Sequence, residues 1–323
     1  MYASLKLSKL LIRVSVEIAQ SRVVKLAAAA ILPAILAASL CQAQQRTFVS
    51  GLGNDLNPCT RAQPCRNFAQ AISITNTGGE VVVLDSAGYG PVTIANSVSL
   101  IAPPGVYAGI SVFSGDGIDV VGSATIILRG LTINNQGSTG SGIAFTGGGT
   151  LHIEDCVVSG FSNSSAAGIA FQPLSSSKLE VKDSIIKQNQ TGIKVGSGLA
   201  LIEQTRLEDN AAAGVAAQGG STVTARNSLV GGGGIGFAAV TSSSNPAELD
   251  IESCVASNNG VGVVAQSTST GVATVRLSDS TITDNTTGLL NNGSPAVLLS
   301  RGNNTVEGNG TNTVGTIGSY TAK

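Results

Sequence analysis

Residues 178–195 read KLEVKDSIIKQNQTGIKV, and this stretch decides the fold because its pattern returns along the chain. It recurs as ELDIESCVASNNGVGVVA at 248–265 and as TVRLSDSTITDNTTGLLN at 274–291. In each copy apolar residues alternate with polar ones, which is typical of a strand with one buried face. A Ser or Cys follows the first strand, and an Asn comes five residues later. The 323-residue chain therefore has the pattern of a repeat protein.

Eight units align on one anchor position, at spacings of 21 to 28 residues. The anchors are Leu131, Cys156, Ser184, Thr205, Ser228, Cys254, Ser280 and Asn304. The residues two after and five before the anchor are apolar in every unit, so each unit predicts strand, bend, strand, turn, strand and a variable loop. One unit cannot bury its apolar face alone, and stacking the units predicts a parallel β-helix of about ten turns.

Two positions of the unit have recurrent small or polar residues. Five residues past the anchor stand Asn189, Asn210, Gly233, Asn259, Asn285 and Asn309. Asn and Gly adopt left-handed backbone at the least cost, so that conformation is expected at this position. Cys156 and Cys254 share the anchor position with Ser and Thr, which predicts a buried stack of small side chains and argues against reactive thiols.

The repeated N-x-x-G-[IV] element, together with the entry segment TFVSGLGNDLNPCTRAQPCRNFAQAI at 47–72, resembles secreted right-handed parallel β-helix proteins of the pectin-lyase-like superfamily. GGEVVVLDSAGYGPVTIANSVSLIAPP at 78–104 resembles their first turns. The resemblance implies an all-β, right-handed solenoid with a short capping helix near its N-terminus. We expect Phe68, Ala71 and Ile72 to cover the open end of the coil. The superfamily contains lyases, hydrolases, epimerases and adhesins, so the resemblance assigns no reaction.

The first 43 residues have the features of a secretory signal peptide. Basic residues precede the apolar run LAAAAILPAILAASL at 26–40, and small residues at Cys41 and Ala43 predict cleavage after Ala43. A retained anchor or lipidation of Cys41 is the alternative. Export to the periplasm or beyond is expected, with no transmembrane segment in the processed chain. The expected divisions are a leader at 1–43, an entry strand with disulfide loop and capping helix at 44–80, and the repeats at 81–323.

Composition narrows the classes of function. The formal charge is −1, which offers no basic surface for nucleic acid. The chain has no Trp and four Tyr, so platforms for stacking on sugars are scarce. Cys59 and Cys65 bracket the loop CTRAQPC, a spacing that fits a small disulfide ring in an oxidising compartment. A metal site at these thiols is the less favoured alternative, because His152 is the single His and is distant in sequence.

Charged residues two before the anchor alternate in sign along six units, which predicts a ladder of ion pairs on an outward face. They are Arg129, Glu154, Lys182, Glu203, Arg226 and Glu252. A groove for an acidic polysaccharide is the alternative. Asp155, Asp183 and Asp279 fit bends, with calcium ligation as the alternative. His152 lies one turn from Glu180 and is interpreted as solvent-facing, because the sequence shows neither a cleft nor an oriented partner.

A stripe of apolar residues, here called the alanine stripe, alternates with the inward residues of the third strand and so should face outward. It consists of Ala144, Ala170, Ala216, Ala238, Val264 and Leu290, interrupted by Lys194. An outward apolar stripe needs a cover. Either loops fold over it, or a second subunit or another surface packs on it.

The candidates for catalysis are Asp155, Lys182, Asp183 and Arg226, but no lyase or hydrolase motif accompanies them. The loops after the third strands read TGGG, QPLSSS, VTSSSNPA and QSTSTG, with almost no titratable groups. We therefore hypothesise a structural, surface or glycan-associated binding module, with polysaccharide or a second copy as partner and no resident cofactor. The second hypothesis is a polysaccharide lyase or glycoside hydrolase acting on an acidic polysaccharide, and calcium would enter only with the lyase.

Overall fold

The computed structural model describes residues 44–321, so the predicted leader and its cleavage site lie outside the described residues. The described chain is a coil in which three strands per turn stack into three parallel sheets, called A, B and C. Sheet A has 12 strands, and sheets B and C have 10 each, which confirms the predicted parallel β-helix. No helix in this part of the chain is both long and apolar enough to cross a membrane.

Each turn of the coil runs through sheet A, then sheet B, then sheet C. The strands of sheet A are Gln44–Val49, Thr75–Val83, Val98–Ile101, Ser123–Arg129, Gly148–Glu154, Ser177–Lys182, Gly198–Glu203, Ser221–Arg226, Ala247–Glu252, Ala273–Ser278, Val297–Ser300 and Ile317–Ser319. The strands of sheet B are Ala87–Gly88, Ala108–Val112, Leu131–Asn135, Val157–Ser159, Ile185–Lys187, Arg206–Glu208, Leu229–Gly231, Val255–Ser257, Thr281–Thr283 and Thr305–Val306. The strands of sheet C are Val92–Ile94, Ile118–Val120, Ile143–Phe145, Ala167–Phe171, Thr191–Val195, Ala213–Gln218, Ile235–Thr241, Val261–Ser267, Thr287–Asn292 and Thr311–Val314.

The core is a set of columns in which equivalent apolar side chains stack from turn to turn. In sheet A, Leu151 pairs with Ile126 on one side and Leu179 on the other, and all three side chains are fully buried. Residues one position away face outward. The period-two pattern therefore fixes the register, because a slip of one residue would place every apolar side chain outside.

The bend between sheets A and B contains the predicted stack of small side chains. Ser184 is 1% exposed, and its Oγ accepts from Cys156 N at 3.2 Å while donating to Lys182 O at 2.8 Å. The residue before the anchor has left-handed backbone in seven of the eight units, with φ 53° at Asp155 and 48° at Asp183. These aspartates are thus bend residues, as expected for side chains that tolerate this conformation.

The turn between sheets B and C contains a ladder of buried Asn side chains. Asn285 Nδ2 donates to Ala256 O, Thr283 O and Asn309 Oδ1, each at 2.9 Å. The expectation of left-handed backbone at these Asn residues is wrong by one position, because the preceding residues have it: Gln188, Asp209, Asn258 and Asp284, with Gly232 and Gly308. The Asn residues are instead required for their amides, which satisfy main-chain groups that the turn leaves unpaired.

The ladder is interrupted at Gly233 for a steric reason. A Cβ at this position would lie 2.2 Å from Asn210 O, so no side chain fits. Asn259 in the next turn still makes its usual bond to the preceding unit, because its Oδ1 accepts from Gly233 N at 3.1 Å, as Asn285 Oδ1 does from Asn259 N. The break is therefore local, and the hydrogen bonding of the turn continues on both sides of it.

A short helix, α1 (Phe68–Ile74), covers the N-terminal end of the coil as predicted. Phe68 and Ala71 are fully buried, and Ile72 is half-buried. The ring of Phe68 lies 5.2 Å from that of Tyr89, whose hydroxyl donates to Asp85. Cys59 and Cys65 form the predicted disulfide, with Cα atoms 4.6 Å apart. The end of the coil is thus covered by an apolar plug and a cross-linked loop.

Cys156 and Cys254 are expected to be unreactive in the folded protein. Burial raises the pKa of the Cys156 thiol to about 12 and that of Cys254 to about 11, from an ordinary 9.0. Because the unfolded thiols ionise near 9.0 and the folded ones do not, the stability of the fold should also decline as the pH rises above 9. In a Cys41→Ser background, Ellman's reagent at pH 8 should label no thiol rapidly in the native protein and two in urea. Rapid labelling of either thiol in the native protein would contradict their burial.

Candidate functional site

The residues proposed for catalysis lie along one edge of the outward face of sheet A. In the register of sheet A, Glu203 lies opposite Lys182 on one side and opposite Arg226 on the other. The two cations are therefore two turns apart. Asp155 and Asp183 occupy the neighbouring bends. The structure thus places all four candidates along one edge, and none of them lines either of the two cavities described below. Their role in catalysis stays a prediction.

The charged ladder has the predicted register, but only part of it forms ion pairs. Arg129 Nη2 lies 2.6 Å from Glu154 Oε2, and Arg226 Nε lies 3.2 Å from Glu252 Oε2. Lys182 Nζ is instead 3.8 Å from Asp183 Oδ2 of its own turn. All these groups are solvent-exposed, and such pairs contribute at most about 1 kcal/mol. Each arginine is already neutralised by a carboxylate of the next turn, which leaves little net charge for gripping an anionic polymer.

His152 faces outward as expected, but it has a partner that the sequence analysis did not recognise. Its Nδ1 lies 2.6 Å from Glu180 Oε2, and the other oxygen of Glu180 contacts Lys178 Nζ. The hydrogen bond from Lys178, followed by the charge of His152, holds the pKa of Glu180 below its ordinary value. These three side chains lie on an open sheet surface, so the arrangement orients the imidazole but encloses no substrate.

The alanine stripe follows the outward face of sheet C with the predicted register. Ala216, Ala238 and Val264 are 8%, 2% and 1% exposed, so the chain itself already covers the middle of the stripe. The ends of the stripe, at Ala144, Ala170 and Leu290, are half-buried. Little apolar area in the middle is therefore left for a second subunit.

Beside the stripe lies an open groove, here called the glutamine groove, where sheet C ends and the loops toward sheet A begin. Its volume is about 390 Å³. The lining residues are Gly196, Gln218, Gly219, Val240, Thr241, Ser242, Ser243, Gln266 and Thr268. None of these side chains is ionisable. Amides, hydroxyls and main-chain groups surround one apolar side chain, a combination that suits an uncharged ligand rich in hydroxyl groups.

The floor of the groove is a column of sheet C. Gln218 pairs with Val240, and Val240 pairs with Gln266 in the next turn. All three side chains are half-buried. The Gln218 carbonyl accepts from Ser221 Oγ at 2.6 Å, but within residues 44–321 neither side-chain amide has a protein hydrogen-bond partner. Both amides are thus free to donate to and accept from a ligand.

The wall of the groove is the loop after residue 240, which is held close to the floor. Thr241 is 4% exposed, and its Oγ1 donates to Asn245 O at 2.8 Å while accepting from Ser243 N at 3.3 Å. A Cβ on Gly219 would lie 2.7 Å from Thr241 Oγ1, so only glycine allows this approach. The wall is therefore held in place by main-chain and hydroxyl contacts before any ligand binds.

The comparisons with known proteins agree with this architecture. A model of the right handed beta helix region matches residues 67–201 and 175–311, which together cover most of the chain. The chain belongs to the right-handed β-helix family. None of the curated proteins compared with it matches in sequence.

Solved structures of this β-helix fold include two with clear overall similarity. Pectate lyase Pel9A matches with a TM-score of 0.63 and 16% identity, over 86% of this chain and 80% of that one. XylC, solved in complex with xylose, matches with a TM-score of 0.53 and 10% identity, over 80% of this chain and 69% of that one. At these identities the likeness shows the pectin-lyase-like fold alone.

A second cavity of this β-helix lies near the capping helix and has a volume of about 600 Å³. Asp116 and Asp119 line it together with Thr93 and Ser114. Burial, and then the charge of Asp116, raise the pKa of Asp119. Asp116 Oδ1 is already engaged, because it accepts from Ser141 N at 2.6 Å. Within the described residues no group of three or more His, Cys, Asp or Glu side chains is placed to hold a metal ion.

The glutamine groove and the second cavity were both missed by sequence reasoning. The segments QPLSSS and QSTSTG begin with Gln172 and Gln266, which follow the last inward residue of a third strand at equivalent positions, and an alignment of strand ends would have found this signal. Asp116 and Asp119 lie before the regular repeats, where no column of equivalent residues singles them out.

Proposed function

We propose that this β-helix protein is an exported glycan-binding module, and that the glutamine groove is its binding site. The observation that supports the proposal most strongly is the lining: two unpartnered amides, several hydroxyls and a valine, with no ionisable side chain. Sugars offer hydroxyls that both donate and accept, and amide side chains match both roles. An uncharged groove also avoids desolvating a charge when a neutral sugar enters.

Export is part of the proposal. The disulfide between Cys59 and Cys65 fits an oxidising compartment, and the features of the first 43 residues fit a leader. Neutral polysaccharide is then the partner that the groove suits best. Self-association through the alanine stripe is less favoured, because its middle residues are already covered within the chain.

Retardation of the protein by polysaccharides in native gels tests the proposal. We expect at least one neutral polysaccharide, among β-glucans, xylan, mannan, chitin derivatives and starch, to retard the protein, and pectate and alginate to leave its mobility unchanged. The double variant Gln218→Ala/Gln266→Ala should weaken binding by about 25-fold, because each lost neutral hydrogen bond accounts for about fivefold. Gln190→Ala is the matched control, since this half-buried Gln lies between sheets B and C, at the other end of the sheet C strands.

Two results would count against the proposal. Absence of retardation by every neutral polysaccharide would remove it, and so would unchanged binding by the double variant. Calcium-dependent release of unsaturated product from pectate or alginate would instead favour the lyase alternative and direct mutagenesis to Asp155, Lys182, Asp183 and Arg226.

The glycoside hydrolase alternative has one specific observation in its favour. Asp119, whose pKa is raised, and Asp116 line the same cavity, and hydrolases of this kind use one protonated and one ionised carboxyl group. New reducing ends that disappear in Asp119→Asn, but persist in Gln218→Ala, would identify this pair as catalytic.

A further inference from the structure

Glutamine side chains recur along the floor column at every second turn of the coil. Gln218 and Gln266 are separated by Val240, through direct pairings on both sides. Gln172 continues the series in the other direction. Phe171 pairs with Val195, so the residues that follow them, Gln172 and Gly196, lie side by side. A Cβ on Gly196 would be 3.1 Å from Gln172 Cγ, which shows how close the two are.

The spacing of these amides follows from the coil. Adjacent turns of parallel strands are about 4.8 Å apart, so amides two turns apart recur at about 9.6 Å. The intervening turns contribute Gly196, without a side chain, and Val240, with two methyl groups. From Gln172 to Gln266, hydrogen-bonding side chains thus alternate with positions that can only make van der Waals contact, and beyond Gln266 the column continues with Asn292.

We propose that the ligand is an extended, uncharged polysaccharide of β-1,4-linked sugars, lying parallel to the axis of the coil with one disaccharide for every two turns. This inference rests on the proposed function. Successive sugars in such a chain face opposite ways, so the same hydroxyl groups meet the protein at every second sugar. The length of one sugar is close to the distance between turns, so the sugars stay near the same register over the two repeats from Gln172 to Gln266.

The intermediate positions fit the other half of this repeat. The flat face of a pyranose ring is apolar at its C–H groups, and Val240 is half-buried between the two amides where such a face would rest. Gly196 leaves room for the sugar at the equivalent position two turns away. Polysaccharides that coil, such as α-1,4-linked and β-1,3-linked glucans, do not hold equivalent hydroxyls in a straight row at this interval.

Calorimetric titration of the full chain with hexasaccharides tests the linkage. The β-1,4-linked probes are cellohexaose, xylohexaose, mannohexaose and chitohexaose, and maltohexaose and laminarihexaose are glucose hexamers with the other two linkages. We expect at least one β-1,4-linked probe to bind tenfold or more tightly than both other glucans. Equal or tighter binding of maltohexaose or laminarihexaose would overturn the inference and leave the proposed function standing. Binding of none of the six probes would contradict both.

The position of the bound polysaccharide on the protein is tested by comparing a trisaccharide with the hexasaccharide of the best-bound series. A trisaccharide reaches from Gln218 to Gln266, whereas only a longer ligand also reaches Gln172. Gln218→Ala should weaken both by about fivefold. Gln172→Ala should weaken the hexasaccharide by about threefold and leave the trisaccharide unchanged. Equal effects of Gln172→Ala on the two ligands, or no effect on either ligand, would contradict a polysaccharide that follows the axis of the coil. The control Gln190→Ala should change the affinity for neither ligand.

Discussion

Replacing Asn259 by Asp should destabilise the fold by about 4 kcal/mol at pH 7. Asn259 is 4% exposed. Its Nδ2 donates to three oxygens at 3.0 to 3.3 Å, namely Asn285 Oδ1, Ser257 O and Val230 O. An aspartate of the same shape has no N–H to offer them and adds a buried negative charge beside them. Urea unfolding of the variant and the unchanged protein, side by side at each pH, measures the loss.

The pH dependence of this loss has a definite sign. Burial raises the pKa of the new carboxyl group, because one of its oxygens keeps the donor Gly233 N and the other faces only acceptors. Its contribution to instability is therefore present above the pKa of the unfolded state, about 3.9, and is smaller below it. The deficit should therefore be larger at pH 7 than at pH 3. Asn258→Asp is the matched control, because Asn258 is exposed and has left-handed backbone, with φ 58°. Asp209 and Asp284 occupy the same position of other turns with the same backbone conformation, so Asp is accommodated there. Equal unfolding midpoints for the two variants would show that the ladder does not stabilise the fold.

Removing the plug at the N-terminal end should have an effect of similar size. Phe68→Ala deletes a fully buried ring that packs against Tyr89, and a cavity of this kind costs about 4 kcal/mol. Helix α1 also packs on the strands Gln44–Val49, Thr75–Val83 and Val92–Ile94, so its loosening would uncover strand edges at this end of the coil. We therefore expect a lower melting temperature together with aggregation on warming.

The control for the plug is a Phe→Ala change that creates no cavity. Phe113 is 72% exposed, and Phe113→Ala should leave the melting temperature within experimental error. Melting followed by light scattering separates the two effects, because loss of stability and exposure of edges need not occur at the same temperature. If Phe68→Ala melted at the same temperature as Phe113→Ala, without additional scattering, α1 would not be acting as a cap.

The regularity of the repeat made most of the fold predictable. Each apolar column has the same residue class at the same offset, so strand number, register and inward faces follow from one alignment. The Asn ladder shows the limit of this reasoning. Its spacing was evident, but Asn has two uses in turns, as a left-handed residue and as an amide ligand for the main chain, and sequence alone does not distinguish them. In the structure Asn285 serves as an amide ligand for the main chain, whereas Asn258 is the left-handed residue.

The candidate site was less predictable, because it depends on loops and on pairs of side chains. Gln218 and Gln266 are 48 residues apart in the chain and become neighbours in one column only after two turns are wound. Charged residues attracted attention in the sequence because they are rare, yet Arg129 and Arg226 are neutralised by Glu154 and Glu252. The groove was overlooked for the opposite reason, since its lining has no titratable group at all.

The most direct measurement is a crystal structure of the full chain with the neutral hexasaccharide that binds it most tightly. We expect sugar density in the glutamine groove, extended along the axis of the coil, with the amides of Gln218 and Gln266 within hydrogen-bonding distance of hydroxyls on alternate sugars. Density on the outward face of sheet A, beside His152 and Glu180, with an empty groove, would contradict it.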